Sequence, residues 1–342
     1  MNELAEFRVD LDFAPLLFKE SEGRIGIGTQ AVVIPVDDPR FREVGRLQSH
    51  LRATQGKPFF YGWDIRRTWS REEWHQAEAA LLVPSTFEPC GEQCGTVYDE
   101  SRACKFCGCC AEQASDLVLD LRRTPKSKDI AQTIANEVIL SQSLAERLVD
   151  GGLTGFELRP VRHKARYQDD PIDFTRLESG KELLAKAERS GARHGTWQFT
   201  IWLNRPENRA LADGVADEYV AKKLKAEAKR LDSLPVWYQL IVKNHRVEIS
   251  NKTRVGIGPF DDDPEGKHRC PLGHKAGLNV LSQLAVERSS LLDLDIQTTN
   301  QFVGTRRGLL RPYRLMIISR RFLDLVRTVK PRGTKLEVVS LT

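Results

Sequence analysis

The residues of this chain whose types and spacing could do chemistry are its cysteines. Six of the seven lie within residues 88–110, EPCGEQCGTVYDESRACKFCGCC. In this stretch Cys104, Cys107 and Gly108 form the pattern C-x-x-C-G. The pattern predicts a tight turn that points both sulfur atoms at one metal ion, because glycine permits the positive φ that close N–H···S contacts require. This spacing favours a metal site over a disulfide or a redox pair.

A structural Zn²⁺ takes four ligands, so the pair Cys104 and Cys107 needs two more. Two sources compete for these positions: a local cysteine pair upstream, and a distant pair in the sequence CPLGH, residues 270–274. Sets that mix the two sources also stay open. Adjacent cysteines cannot easily serve one ion, so we expect Cys109 and Cys110 to lie outside the site. The candidate zinc ligands are therefore Cys90, Cys94, Cys104, Cys107, Cys270 and His274.

No catalytic pattern accompanies these cysteines. A catalytic zinc site has three protein ligands, an open position and a nearby base, and the sequence contains no H-E-x-x-H motif. His163 and His194 each stand alone in charged segments without a neighbouring nucleophile. A G-x-G-x-x-A match at residues 26–31 is followed by VVIPV rather than by a helix, so it offers no phosphate site. We therefore expect a structural zinc and no catalytic residues.

The charge of the chain is uneven. The whole chain carries a net charge of +5, whereas residues 306–335 alone contain ten basic side chains and one acid, Asp324. This asymmetry is typical of a protein with an anionic partner, and it makes nucleic acid an alternative partner. The competing interpretation is a basic surface that meets the acidic remainder of the same chain.

The sequence also bears on location. No run of eighteen apolar residues occurs, so we expect no membrane-spanning helix. The N-terminal sequence MNELAEFRVDLDF lacks the basic and then apolar pattern of a secretory signal. We therefore expect a cytoplasmic protein, in which thiols stay reduced and clustered cysteines bind metal more often than they pair.

The hydrophobic pattern predicts a mixture of helices and strands. The predicted strands are residues 24–36, residues 115–123, the core strand TWQFTIWL (196–203), and a hairpin over residues 236–251. A helix is predicted over residues 69–83, opened by a capping box of Ser70 and Glu73. A second, long amphipathic helix is predicted over residues 212–234, with an inward stripe of Val215, Tyr219, Leu224 and Leu231.

A strand-helix-strand unit occurs twice, over residues 138–161 and 316–341. The sequence DIAQT (129–133) has a partial counterpart in DIQTT (295–299). We expect Ser143 and Glu146 to cap the first helix and Gly151 with Gly152 to end it. The corresponding residues of the two units are Ser141 and Ser319, Leu144 and Phe322, Leu148 and Val326, and Glu157 and Glu337.

These repeated units predict an α+β fold of two related halves, each ending in a β-α-β unit, with a zinc knuckle. The expected organisation is an N-terminal half with the cysteine-rich module (1–161), a charged and largely helical connecting region (162–235), and a C-terminal half with the CPLGH loop and the basic ending (236–342).

With these residues in place, the chain resembles the bacterial double-CXXCG motif proteins. The resemblance rests on Cys104-x-x-Cys107-Gly108, on CPLGH, and on the endings GLTGFELRPV and GTKLEVVSL. In that family a second C-x-x-C-G follows the first; here His274 replaces its second cysteine, with one residue more between the ligands. Some members, known from myxobacteria, are encoded beside polymorphic toxins and taken to be immunity proteins.

The resemblance implies a zinc-stabilised, non-catalytic bacterial protein that binds a protein partner, as a toxin-immunity protein does. A nucleic-acid-binding zinc protein is the alternative, because of the basic segment 306–335. An enzyme of unrecognised type is the second alternative, since the absence of known motifs is weak evidence.

Overall fold

The structure is a computed structural model that describes residues 1–228, 231–260, 270–271, 276–304 and 308–342. As expected, the fold is a mixture of α and β elements. In the described part of the chain, no helix combines the length and the apolar composition needed to cross a lipid bilayer.

The elements below are given in chain order. The α-helices of the described ranges are α1 (Pro39–Gln55), α2 (Arg71–Gln76), α3 (Gly91–Cys94), α4 (Gln142–Asp150), α5 (Glu178–Arg189), α6 (Trp197–Leu203), α7 (Pro206–Glu227) and α8 (Arg320–Val329). The strands of the same ranges are β1 (Asn2–Asp10), β2 (Arg24–Ile25), β3 (Thr29–Pro35), β4 (Phe60–Thr68), β5 (Ala79–Phe87), β6 (Tyr98–Asp99), β7 (Glu112–Gln113), β8 (Val118–Leu119), β9 (Ile130–Thr133), β10 (Val138–Ser141), β11 (Phe156–Pro160), β12 (Arg162–His163), β13 (Trp237–Val242), β14 (Val255–Gly256), β15 (Asn279–Val280), β16 (Ala285–Val286), β17 (Ile296–Val303), β18 (Tyr313–Ser319), β19 (Thr334–Val338) and β20 (Ser340–Leu341).

The first four strands form a sheet of their own, which the sequence did not indicate as a separate unit. Its order is β2-β3-β1-β4, and helix α1 packs on it through Val44 and Leu51 against Phe7. The single strand predicted over residues 24–36 is instead the hairpin of β2 and β3. The chain turns at Gly28, whose φ of +69° is in the left-handed region that suits glycine.

The main sheet has eight strands in the order β11-β13-β10-β9-β5-β18-β17, and β19 also pairs with β5. Strands β5 and β9 are parallel, and the other neighbours of this sheet are antiparallel. The sheet therefore combines strands from both ends of the chain. Of the hairpin predicted over residues 236–251, only β13 is a regular strand; Val247 bridges in parallel to Thr299 instead.

The helix predicted over residues 69–83 is wrong beyond its first turns. The capping box of Ser70 and Glu73 is present, and it opens α2. The helix ends at Gln76, and residues from Ala79 onward form β5, a strand at the centre of the sheet. Ala80 and Leu82 face one core cluster, and Ala79 and Leu81 face another. A strand buried on both faces has a continuous apolar run, which resembles the apolar face of a helix.

Both predicted strand-helix-strand units are present, as β10-α4-β11 and β18-α8-β19. The predicted cap at Ser143 is wrong by two residues: Ser141 caps α4, in the position at which Ser319 caps α8. The inward positions Leu144, Leu148, Phe322 and Val326 are buried in one core cluster. Each helix therefore covers the sheet with the face that the hydrophobic pattern indicates.

The two outer strands of each unit are not adjacent. Strand β13 lies between β10 and β11, and β5 lies between β18 and β19. Matching contacts fix this arrangement: the N–H of Thr154 donates to Asp295 at 2.9 Å, and the N–H of Arg332 donates to Asp129 at 2.8 Å. Each unit is thus tied to the residue before β17 or β9, the strand that precedes the other unit in the chain.

The region 162–235 contains three helices, α5 to α7, around a cluster of their own. The predicted core strand TWQFTIWL is wrong, because these residues form α6, which Thr196 caps. The predicted long helix is present as α7, but it begins at Pro206 and ends at Glu227. Val215 is buried as expected, whereas Leu224 and Leu231 are exposed. Residues 115–123 contribute only the short strand β8.

Two glycines occupy the turns that precede β11 and β19. Gly155 has a φ of +96°, and a Cβ atom there would lie 2.2 Å from the carbonyl oxygen of Ile296. Gly333 has a φ of +93°, and its Cβ would lie 2.2 Å from the carbonyl oxygen of Ile130. No side chain fits so close to a backbone oxygen, so both positions require glycine.

Gly155→Ala and Gly333→Ala should each lower the free energy of unfolding by about 2–4 kcal/mol, because strain and a backbone clash combine. Urea denaturation measures the loss. Gly56→Ala is one control: its φ is +67° but no atom lies within 4 Å, so we expect only about 1 kcal/mol. Gly214→Ala, in open space on α7, should be neutral or slightly stabilising. Losses at Gly155 no larger than at Gly56 would contradict the close approach.

Candidate metal centre

Three cysteines meet at one point of the structure. The sulfur atoms of Cys104, Cys107 and Cys270 all lie within 4.8 Å of one another, and those of Cys104 and Cys270 are 3.4 Å apart. Tetrahedral zinc with Zn–S bonds of about 2.3 Å places its sulfur ligands about 3.8 Å apart. The three thiols are therefore spaced as sulfur ligands of one ion would be, although 166 residues separate Cys104 from Cys270.

The turn at Cys104 forms for local reasons. The N–H of Gly108 donates to the carbonyl of Cys104 at 2.7 Å, and Gly108 has a φ of +69°. The N–H groups of Cys107 and Phe106 point at the Cys104 sulfur and lower the pKa of its thiol to about 6. A thiolate is the form that binds metal, so the backbone of this turn stabilises the metal-binding form of Cys104.

Cys270 enters from the C-terminal part of the chain. It is buried together with Ala276, and Phe302 of β17 packs against the same cluster. Its predicted companion His274 lies outside the described residues. The structure thus joins the C-x-x-C-G turn to the first residue of the distant pair, as one of the two ligand models expects.

Cys109 was expected to lie outside the metal site. It is 1% exposed, and its sulfur atom lies 3.2 Å from that of Cys107. The N–H of Cys104 donates to the carbonyl of Cys109 at 2.9 Å, which closes the turn and brings Cys109 back toward the site. The glycine between Cys107 and Cys109 is the signal that could have indicated this reversal. The Cys109 sulfur is not one of the three that all lie within 4.8 Å of one another, but its contact with Cys107 makes it, with His274, a residue to test as fourth ligand.

The other predicted ligands, Cys90 and Cys94, do not belong to this group of sulfur atoms. They flank α3, where Cys90 is the residue before the helix and Cys94 is its last residue. Both are buried, and burial raises the pKa of each thiol. In their described positions they are buried residues outside the group of three cysteines.

A buried polar network holds the cysteine-rich module to the main sheet. The guanidinium of Arg311 forms ion pairs of 2.7 Å with Glu92 and Glu100, and it stacks 3.9 Å above the ring of Tyr98. The Tyr98 hydroxyl donates to Glu137 at 2.6 Å, next to strand β10. Burial raises the pKa of the Glu137 carboxyl. Arg311 and Glu137 are buried, whereas the side chains of Glu92 and Glu100 are 41% and 38% exposed, so solvent screens part of these ion pairs.

Comparison of the chain with protein-family models, with curated proteins and with solved structures gives no match. The resemblance to double-CXXCG motif proteins therefore rests on the residues quoted for it. What the geometry supports on its own is a group of three cysteines that could hold a metal ion.

We expect the purified protein to contain about one zinc per chain by elemental analysis, given three sulfur ligands and a fourth candidate. Cys104→Ser, Cys107→Ser and Cys270→Ser should each release it, because each removes one sulfur of the group. Cys94→Ser is the matched control, since it changes a buried cysteine outside the group. Comparison of Cys109→Ser with His274→Ala identifies the fourth ligand.

Two results would contradict this centre. Zinc retained in Cys270→Ser would mean that the ligands are local to residues 90–107. Zinc released by Cys94→Ser, in a protein that keeps its circular dichroism spectrum, would have the same meaning.

Proposed function

We propose that this chain is a zinc-stabilised, non-catalytic protein that binds another protein. The observation that carries the proposal is the convergence of Cys104 and Cys107 with Cys270. A metal ion there joins the cysteine-rich module to the C-terminal part of the chain. Zinc suits this role because it is borderline soft, prefers thiolates and has no redox chemistry.

A structural role for the zinc follows from its ligand type. Catalytic zinc sites keep one position open for water, whereas sites rich in cysteine are closed. Cys109 or His274 as fourth ligand would close this one. Zinc binding of this kind contributes about 10 kcal/mol or more to folding in small zinc domains. A reducing compartment such as the cytoplasm keeps the thiols available for the metal.

The exposed apolar side chains support a protein partner. On α6, Trp197 is 68% exposed and Ile201 is 49% exposed, and the two lie one turn apart on the same helix face. Phe106, within the C-x-x-C-G turn, is 68% exposed. Large aromatic residues of this kind are typical anchors of protein interfaces. The family resemblance extends the proposal to a toxin as the partner and to immunity as the function.

The proposal is tested with the toxin encoded beside this gene. Co-expression of the chain should restore growth of cells that express the toxin, and the purified proteins should form a stable complex. Trp197→Ala should weaken the complex at least tenfold, because an exposed aromatic anchor contributes about 2 kcal/mol. Ile27→Ala, at the fully exposed tip of the β2–β3 hairpin, is the control and should not change the affinity. Absence of a complex with any neighbouring gene product would defeat the immunity function.

The basic segment gives little support to nucleic acid as the partner. Arg306 and Arg307 lie outside the described residues. Most of the other cations contact acids of the same chain, in the pairs Arg311 with Glu92 and Glu100, Arg320 with Asp324, Arg321 with Asp295, Arg332 with Asp129, and Lys335 with Glu337. These pairs favour the interpretation of a basic segment that meets the acidic remainder of the protein.

We therefore expect weak binding of DNA and RNA in a gel-shift titration at about 0.15 M salt, where exposed charges are screened beyond about 8 Å. The informative variant is Arg327→Glu with Lys330→Glu, since neither residue forms an ion pair with a described acid. Sub-micromolar binding that this variant abolishes would promote the nucleic-acid function above the protein-binding one.

We also propose that the chain consists of two related halves, residues 1–161 and 236–342, joined by the helical region 162–235. The matched caps Ser141 and Ser319 support this relation. So do the equivalent contacts of Asp129 and Asp295 with the turn residues that precede β19 and β11. On this proposal each half lends one strand, β5 or β13, to the unit of the other.

A further inference from the structure

A cavity of about 280 Å³ lies beside the metal centre. Gly108 and Cys110 of the cysteine-rich module and strands β10, β13, β17 and β18 line much of it. Glu137 and Arg311 of the buried network also line it, and the Glu137 carboxyl already accepts hydrogen bonds from Tyr98 and Thr133. Part of the wall is apolar, formed by Leu240, Val242 and Met316. A cavity of about 150 Å³ accommodates benzene, so this one has room for a ring and a polar group.

Arg314 supplies a positive charge to this cavity. Its guanidinium lies 4.0 Å above the ring of Phe302, and one terminal nitrogen donates to the carbonyl oxygens of Thr299 and Asn300. No carboxylate of the described residues forms an ion pair with it, unlike Arg311 nearby. Partial burial lowers the pKa of Arg314, the direction expected of a cation that lacks a counter-charge. Its remaining N–H groups are donors without a described acceptor.

His245 lines the same cavity next to Arg314. Its Nδ1 lies 2.6 Å from the hydroxyl of Thr298, which leaves Nε2 for another group. Desolvation lowers the pKa of His245, and the charge of Arg314 lowers it further. His245 is therefore a neutral hydrogen-bonding group beside the cation Arg314, in the cavity that Leu240, Val242 and Met316 also line.

We propose that this cavity binds a small organic anion. Its carboxylate or similar head lies against Arg314 and His245, and its apolar body packs on Leu240, Val242 and Met316. A pocket that pairs an apolar wall with a few convergent polar groups is the usual form of a ligand site. The site goes beyond the proposed function, because it needs neither the toxin nor the exposed α6 surface.

The position of the site also links it to the metal. Phe302 packs against the cysteine cluster on one side and carries the guanidinium of Arg314 on its ring. A metal ion that orders Cys107 and Cys270 therefore orders the support of Arg314 as well. Binding is accordingly measured on zinc-loaded protein.

The probes are benzoate, benzamide and acetate, titrated into the zinc-loaded full chain by isothermal calorimetry. Benzamide has the shape of benzoate without its charge, and acetate has the charge without the ring. Benzoate should bind at least tenfold more tightly than either, because only it meets both the charge of Arg314 and the apolar wall. No heat of binding with benzoate up to about 10 mM, or equal affinity for benzoate and benzamide, would overturn the proposal.

Variants locate the binding. Arg314→Met should weaken benzoate binding at least tenfold, and His245→Gln should weaken it several-fold. His245 is exposed in part and its side chain has one described hydrogen bond, so we expect His245→Gln to keep the fold even if loss of the Arg314 contacts destabilises Arg314→Met. Arg209→Met, a cation removed from the exposed surface of α7, is the control and should bind benzoate as the parent does. Unchanged affinity in His245→Gln and Arg314→Met, each with its zinc retained, would place benzoate elsewhere and refute the site.

Discussion

The structure depends on two places where a glycine turn closes on the start of a distant strand. At Gly155 the chain presses against Ile296, and at Gly333 it presses against Ile130. Each contact sets a strand of one unit beside β13 or β5, which comes from elsewhere in the chain. Because the main sheet joins both ends of the chain, residues far apart in sequence, such as Cys104 and Cys270, become neighbours.

The difference between local and long-range contacts explains which parts of the fold the sequence predicts. The units β10-α4-β11 and β18-α8-β19 are set by caps and helical spacing within about twenty residues, so their local pattern is readable. The insertion of β5 and β13 is set by contacts across the chain, which no local pattern carries. The same reason explains the wrong helix over residues 79–83. Strand β5 is buried on both faces, so its sequence is continuously apolar and also fits the pattern of a helix. The same reason applies to α6. Its aromatic residues predict a core strand, but Phe199 and Trp202 lie three apart and are buried on one side of a helix.

The candidate metal centre also has a part that the local sequence predicts and a part that it does not. The turn of Cys104, Cys107 and Gly108 is a local geometry, so its residue types suffice to predict it. The choice between Cys94 and Cys270 depends on the tertiary fold, and both had acceptable residue types. Cys109 was excluded because adjacent cysteines rarely share an ion, but it is the reversal of the chain after Gly108 that decides its position. Spacing thus predicts the C-x-x-C-G turn, whereas the cysteines that meet it depend on the tertiary fold.

Two arginines of the basic segment, Arg311 and Arg314, differ in whether a described acid balances their charge. Arg311 is almost fully buried and is neutralised by Glu92 and Glu100, so its charge holds the cysteine-rich module in place. Arg314, three residues later, has a similar stacked geometry but no described acid beside it. A partly buried cation without a counter-charge is unfavourable unless something else supplies one. Arg311 therefore holds the fold together, while Arg314 is a cation without a described acid beside the candidate metal centre, and an anionic ligand would supply the missing counter-charge.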